Sequence, residues 1–219
     1  MADLRPPEGR HPGWPARLGP LVVAGGTLEL RPPRLRDASA WSSTRLRDRG
    51  HLERWEPSSY GQGWDERNSL LAWPPQWAAL RSLARRGLAL PFMIIVDGRL
   101  AGQVTVGNIQ RGALRSGWIG YWVASELTRG GVATAAVALL VDHSLGPAGL
   151  HRLEATVRPE NEPSLRVLDK LGFRREGLYE RYLDVGGVWR DHLSLAFTEE
   201  EVGAGAVARL VRRGLARIP

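Results

Sequence analysis

An α+β domain built on one mixed sheet is the fold class the sequence predicts, on three observations. Short apolar runs of strand length alternate with amphipathic stretches of helical period. Two of the runs flank Asp97-Gly98, a dipeptide that favours a two-residue hairpin. A later pair of runs is joined through a helix-length segment, which makes those two strands parallel in an otherwise antiparallel set.

The elements follow in order. Residues 1–20, "MADLRPPEGRHPGWPARLGP", are rich in Pro and Gly and read as a flexible arm with no apolar signal core. A short strand, Leu28 to Arg31, leads to a helix holding Asp37, Trp41 and Leu46. Residues 50–64 are turn-rich and aromatic. The helical region after them is expected to break at Pro74 and Pro75, its second piece presenting Trp77, Leu80 and Ala84 on one face. Three antiparallel strands come next, the last being "SGWIGYWVAS". A helix from Gly131 to His143 turns Ala133, Val137, Leu140 and Val141 to the core. Then come the strand "HRLEATVRP", a helix from Asn161 to Leu171 stopped by Gly172, and two strands turning at Gly186-Gly187. Thr198 and Glu201 form a capping box that starts a last helix. That helix ends in Arg209, Arg212, Arg213 and Arg217, as the macrodipole favours. The expected organisation is an arm (1–20), the α+β domain (21–198) and a basic amphipathic helix (199–219).

Composition narrows the chemistry. A chain of 219 residues can bury a full core. It has no cysteine, so disulfides, thiolate metal sites and a Cys nucleophile are out. Its five histidines lack ligand spacing, so no metal is expected. No apolar run is long enough to span a bilayer, and a cytoplasmic protein without membrane contact is expected. The net charge is +7, with Lys170 the only lysine, but no aromatic-basic nucleic-acid motif accompanies it.

The stretch "ELTRGGVATAAVALLVDH" carries the first functional signal. Arg129, Gly130 and Gly131 lie between a strand and a helix. The first turn of a helix has N–H groups without internal partners and the positive end of the dipole. Glycine lets a bulky anion reach that backbone, and Val132, Ala133 and Thr134 follow with small or compact side chains. This suits a pyrophosphate, although a plain strand–helix turn uses the same residues. P-loop, G-x-G-x-x-G, G-x-S-x-G and H-E-x-x-H patterns are absent.

"GYWVASELTRGGVATAAV" followed by "HRLEATVRPENEPSLRVLDKLGFRREG" resembles the GNAT family of acetyl-CoA-dependent N-acetyltransferases, in its ribosomal-protein-alanine (RimJ/RimL) type, over Thr27 to Phe197. The resemblance implies the GNAT fold, with two parallel central strands splayed apart. It implies acetyl-CoA in the gap, the backbone of Val123 along its pantetheine arm, and its phosphates on the amides of Arg129, Gly130, Gly131, Val132, Ala133 and Thr134. The family's frequent Gln or Arg three residues before the second glycine is Thr128 here. Asn161 would bond the cofactor or a water, and Ser164 would donate to the sulfur leaving group. Both also suit a simple helix cap. No glutamate stands at Trp118 or Thr156, where relatives carry a base. Glu154 is the expected base or else the partner of Arg152, with Glu56 and Asp191 as further candidates. Trp55, Tyr60 and Trp64 are expected to line the acceptor side or else to pack the helical flap, and Tyr121 to point into the cleft or into the core. The acceptor is a protein or peptide N-terminus, ribosomal by analogy, with a small amine or a non-catalytic acyl-CoA-binding role as alternatives. A monomer and a homodimer are both compatible with the sequence.

Overall fold

The computed structural model describes residues 13–219, so residues 1–12 of the expected arm lie outside the described residues. Eight strands form one sheet: β1 (Leu18–Val23), β2 (Gly26–Arg31), β3 (Leu90–Val96), β4 (Arg99–Gln110), β5 (Ser116–Val123), β6 (Arg152–Val157), β7 (Arg174–Val185) and β8 (Val188–Thr198). Their spatial order is β1-β2-β3-β4-β5-β6-β8-β7. All neighbours are antiparallel except β5 and β6.

Helices cover both faces. On one lie α1 (Ala38–Arg47), α2 (Arg49–Leu52), α3 (Trp64–Arg67) and α4 (Trp73–Arg85). On the other lie α5 (Val132–Leu145) and α6 (Glu162–Leu171), with the short α7 (Glu199–Val202) and α8 (Ala206–Arg212) following. Val137, Leu140 and Val141 of α5 are fully buried against the sheet. Each contributes roughly 1.5–3 kcal/mol by leaving water. Trp41 and Trp73 close a second core with Met93 and Ile95 under α1 and α4.

Both hairpin turns take the shape their residues demand. Asp97 and Gly98 have φ of 47° and 77°, and Gly186 and Gly187 have 65° and 79°. Two positive values in succession make the turn whose twist matches the flanking strands.

Three expectations need correction. Residues 18–20 belong to β1, and Trp14 packs edge-on against Phe92, so the chain is docked from Gly13 onward. Pro74 and Pro75 begin α4 instead of breaking a helix. They occupy the first turn, where a missing N–H costs nothing. The final segment is two short helices, divided at Gly203 and Gly205. Arg209 and Arg213 donate to the carbonyls of Leu171 and Lys170 at the end of α6, so they serve that helix more than their own. Asp142 of α5 accepts from the amides of Ala206 and Val207, tying α8 to the domain.

Candidate active site

The parallel pair β5–β6 is the centre of the site because it is incomplete. Only Ser116, Gly117 and Trp118 pair with β6, against Arg152, Leu153 and Glu154. Beyond Trp118 the strands part, while β5 stays paired with β4 as far as Val123. The Ala124 N–H donates to the Ala101 carbonyl, 2.8 Å. Alternation along an antiparallel pair then aims the N–H and C=O of Tyr121 and Val123 away from β4, into the gap. Two N-termini face the same opening, since α5 follows β5 and α6 follows β6.

The turn into α5 is a ready anion cradle. Arg129 and Gly131 have φ of 63° and 78°, the region where glycine is at ease and arginine is held under constraint. Gly131 is the N-cap and has no side chain to cap the helix, so the amides of Val132, Ala133 and Thr134 stay open to an outside acceptor. Arg129 is exposed and makes no ion pair among the described residues. Thr128 spends its hydroxyl on the Ser125 carbonyl, 2.8 Å, which closes the turn. Asp48 fixes the start of this segment. It accepts from the Ser125 N–H at 2.7 Å and the Ser125 hydroxyl at 2.8 Å, and from Arg47. Burial pushes the Asp48 carboxyl up, but the Arg47 and Ser125 hydrogen bonds outweigh it and hold the pKa at about 2. The β1–β2 turn braces the other side: Gly25 donates to the Gly130 carbonyl, 2.8 Å. A Cβ on Gly25 would lie 2.7 Å from Val132 Cγ2, so only glycine allows this contact.

Across the gap, the Tyr121 hydroxyl lies 2.7 Å from Ser164 Oγ and 3.2 Å from the Ser164 carbonyl. Burial raises the phenol pKa well above its usual range, so Tyr121 stays protonated. Asn161 is the N-cap of α6, its side-chain oxygen accepting from the Ser164 N–H at 3.3 Å. The cap and the cleft position coincide in the same two residues.

Glu154, expected as a base or as the partner of Arg152, is that partner, at 2.8 Å. Arg152 also binds Glu176. Glu56 binds Arg45 at 2.5 Å, and Asp191 accepts from the Arg181 N–H at 2.7 Å. Trp64 is 3% exposed and packs under Arg45 beside Trp122, so it is core and not cleft wall. Tyr60 is fully exposed. Trp55 carries the Arg54 and Arg158 guanidinium groups over its ring.

Sequence reasoning missed His192. It is buried on β8, beside Leu193, which pairs with Val157 at the end of β6. Its Nδ1 is 3.0 Å from the Arg190 carbonyl. A carbonyl only accepts, so Nδ1 carries the proton and Nε2 keeps its lone pair. Burial lowers its pKa, assisted by Arg158 and opposed by the Arg190 carbonyl, Glu160 and Asp191. The ring meets Tyr182 edge-on, and Tyr182 stacks on Trp118. Only the folded β7–β8 hairpin brings these groups together. The signal in the sequence was a lone histidine on a strand alternating with Ser194.

A split parallel pair, an uncapped helix start behind it and a hydroxyl pair across it define an acyl-transfer fold. Residues 27–174 match the acetyltransferase (GNAT) domain family, and the chain belongs to that family of N-acetyltransferases. It is similar to RimJ of Mycobacterium smegmatis, whose structure is a complex with CoA-disulfide. The two share 54% identity over 96% of this chain and 100% of that one, with a TM-score of 0.94. The [ribosomal protein uS5]-alanine N-acetyltransferase of Escherichia coli is 26% identical over 74% of this chain and 83% of its own length. A Bacillus subtilis protein described as a probable N-acetyltransferase, YjcK, is 44% identical over 46% of this chain, a match spanning 55% of that relative. Among the described residues no helix is long and apolar enough to cross a membrane.

Proposed function

We propose that this protein transfers an acetyl group from acetyl-CoA to the α-amine of a protein N-terminus, a ribosomal protein by analogy with its relatives. The observation that carries the reading is the parting of β5 and β6, with the backbone groups of Tyr121 and Val123 turned into the gap. The fit to the donor is physical. A pantetheine arm carries amides that need backbone partners, and a diphosphate needs open N–H groups. The site offers Val123 for the first, and the amides from Arg129 to Thr134 with the Arg129 side chain for the second.

The thioester supplies an activated acyl carbon. In the transfer, the C–S bond breaks, a C–N bond forms, the amine loses a proton and the sulfur gains one. Ser164 stands to hydrogen-bond the leaving sulfur, with the Tyr121 hydroxyl at 2.7 Å orienting it. Asn161 holds Ser164 in place and bonds a carbonyl or water. His192, with Nε2 free, accepts the amine proton directly or through water. Holding both reactants in one cleft supplies much of the rate, and no acyl-enzyme is needed. An α-amine has a pKa of roughly 8 against about 10.4 for lysine, so it is neutral far more often near pH 7.

The test is turnover of acetyl-CoA with matched peptides: one with a free N-terminus and no lysine, one with a blocked N-terminus and an internal lysine. Acetylation of the first alone is expected. Equal turnover of the second overturns the α-amine reading.

A further inference from the structure

A glycine inside a strand weakens it and needs a reason. Four glycines of β4 and β5 divide cleanly. At Gly102 a Cβ would lie 2.2 Å from the Trp122 carbonyl oxygen, and at Gly117 it would lie 2.5 Å from Val106, so packing demands both. At Gly107 and Gly120 a Cβ would meet nothing within 4 Å, and neither has a left-handed φ. Packing and backbone leave these two positions free to carry a side chain, yet they carry none.

Both open onto the same face. Gly107 pairs with Trp118, and Gly120 pairs with Thr105, so they sit diagonally across β4 and β5 under the α1–α4 layer. Gly120 is two residues past the last β5–β6 pair, at the mouth of the gap, between Trp118 and Trp122. Gly107 floors a groove of about 500 Å³ whose walls include Leu80 and Leu83 of α4, Leu88, Ile109 and Trp118. Among the described residues no charged one lines that groove, and its polar positions are Thr105, Asn108 and Gln110. The diagonal between the two glycines is about 8 Å, from strands about 4.8 Å apart and a rise of about 3.3 Å per residue. An extended chain covers it in two to three residues.

We infer that this strip is the acceptor track. It takes an extended polypeptide, with its amine at the gap, its first residue over Gly120 between the two tryptophans, and an apolar side chain from its third or fourth position in the groove over Gly107. The inference rests on the reading of the chain as an N-terminal acetyltransferase, and it adds what recognises the acceptor beyond its amine. A charged side chain at the groove position gives up hydration and meets no opposite charge there, since Thr105, Asn108 and Gln110 supply only neutral polar groups, so the track selects against it.

The experiment compares kcat/KM for three acceptors: a dipeptide amide too short to reach the groove, an octapeptide with Leu at position four, and the same octapeptide with Asp there. For the wild type, the Leu octapeptide is expected to exceed both others by about tenfold, the worth of one partly buried apolar side chain. Gly107→Val fills the groove, and Leu83→Gln removes part of its wall from an already half-exposed position. Each should shrink the octapeptide-to-dipeptide ratio toward one. Coenzyme A-induced thermal stabilisation equal to that of the wild type verifies folding of each variant. A wild type that acetylates all three peptides alike overturns the track, as does an unchanged ratio in both variants. A wild type that acetylates small amines but no peptide overturns the acceptor class itself, a separate outcome.

Discussion

Tyr121 and Ser164 touch across the split in the sheet, oxygen to oxygen at 2.7 Å. One comes from β5 and the other from the first turn of α6, and no β5–β6 backbone pair lies beyond Trp118 to hold those elements together there. The contact therefore sets the width of the opening and places a proton donor inside it. Replacing Ser164 with Ala should lower kcat by about 10²-fold, the usual worth of one positioned proton donor, while the KM for acetyl-CoA stays near its wild-type value. Tyr121→Phe should lower kcat less, because Ser164 keeps its hydroxyl and loses only its orientation. Steady-state kinetics of the two variants checks this, and the reverse ranking would show Tyr121 to be the direct donor.

The α5 turn should behave as an anion site. Gly131→Glu adds a carboxylate to the cradle and a side chain at a φ of 78°, so affinity for coenzyme A should fall by more than about 100-fold. Gly25→Val tests the brace from outside the cradle. Its Cβ must push Val132 aside, so the first turn of α5 shifts and affinity should fall about tenfold. Calorimetric titration with coenzyme A reads both. Full affinity in the Gly131 variant would move the phosphates elsewhere.

His192 should bend the pH profile. Deprotonation of the acceptor's α-amine near pH 8 gives the wild type and His192→Gln a shared limb in kcat/KM. As the pH falls further, the wild type must also lose neutral His192. Its pKa is lowered, so this second bend lies below the ordinary histidine value of 6.5, where the slope approaches about two. Burial sets that position first, opposed by the Arg190 carbonyl, with Arg158 and Glu160 after β6 and Asp191 on β8 as the nearby charges and Tyr179 and Tyr182 of β7 alongside. His192→Gln should be slower by about 10²-fold above pH 7 and should lack the second bend. A bend that survives the substitution assigns the base elsewhere.

What the sequence could reveal follows from the range of the interactions. The hairpins at Asp97-Gly98 and Gly186-Gly187 and the Gly130-Gly131 turn were legible because local backbone geometry selects those residues. The cap at Asn161 was legible for the same reason. Strand β1 was not, since it contains Gly19-Pro20 and has a strand on one side only. Trp55, Tyr60 and Trp64 look alike along the chain, yet they end up against two arginines, in solvent and in the core. That sorting depends on Arg45 and Arg158, which arrive from distant segments. His192 and the floor at Gly107 and Gly120 depend on which strands become neighbours, which no local signal encodes.

Asp48 links acid stability to the site. Its pKa is held at about 2 against an ordinary 3.8, so the folded state gains from its charge. For a depressed carboxylate, that gain is full above the unfolded value and lost as pH falls through the folded one, here from about 4 down to about 2. The shift corresponds to about 2 kcal/mol. Asp48→Asn forfeits it and loosens Ser125, the entry to the α5 turn. At pH 7 the variant should melt about 4–8 °C below the wild type. The difference should shrink steadily between pH 4 and pH 2, as the wild type surrenders the same charge. Coenzyme A affinity should fall together with the melting temperature at neutral pH. Thermal melts across that pH range decide the matter, and a gap as wide at pH 2 as at pH 7 would show that Asp48 acts through packing and not through its charge.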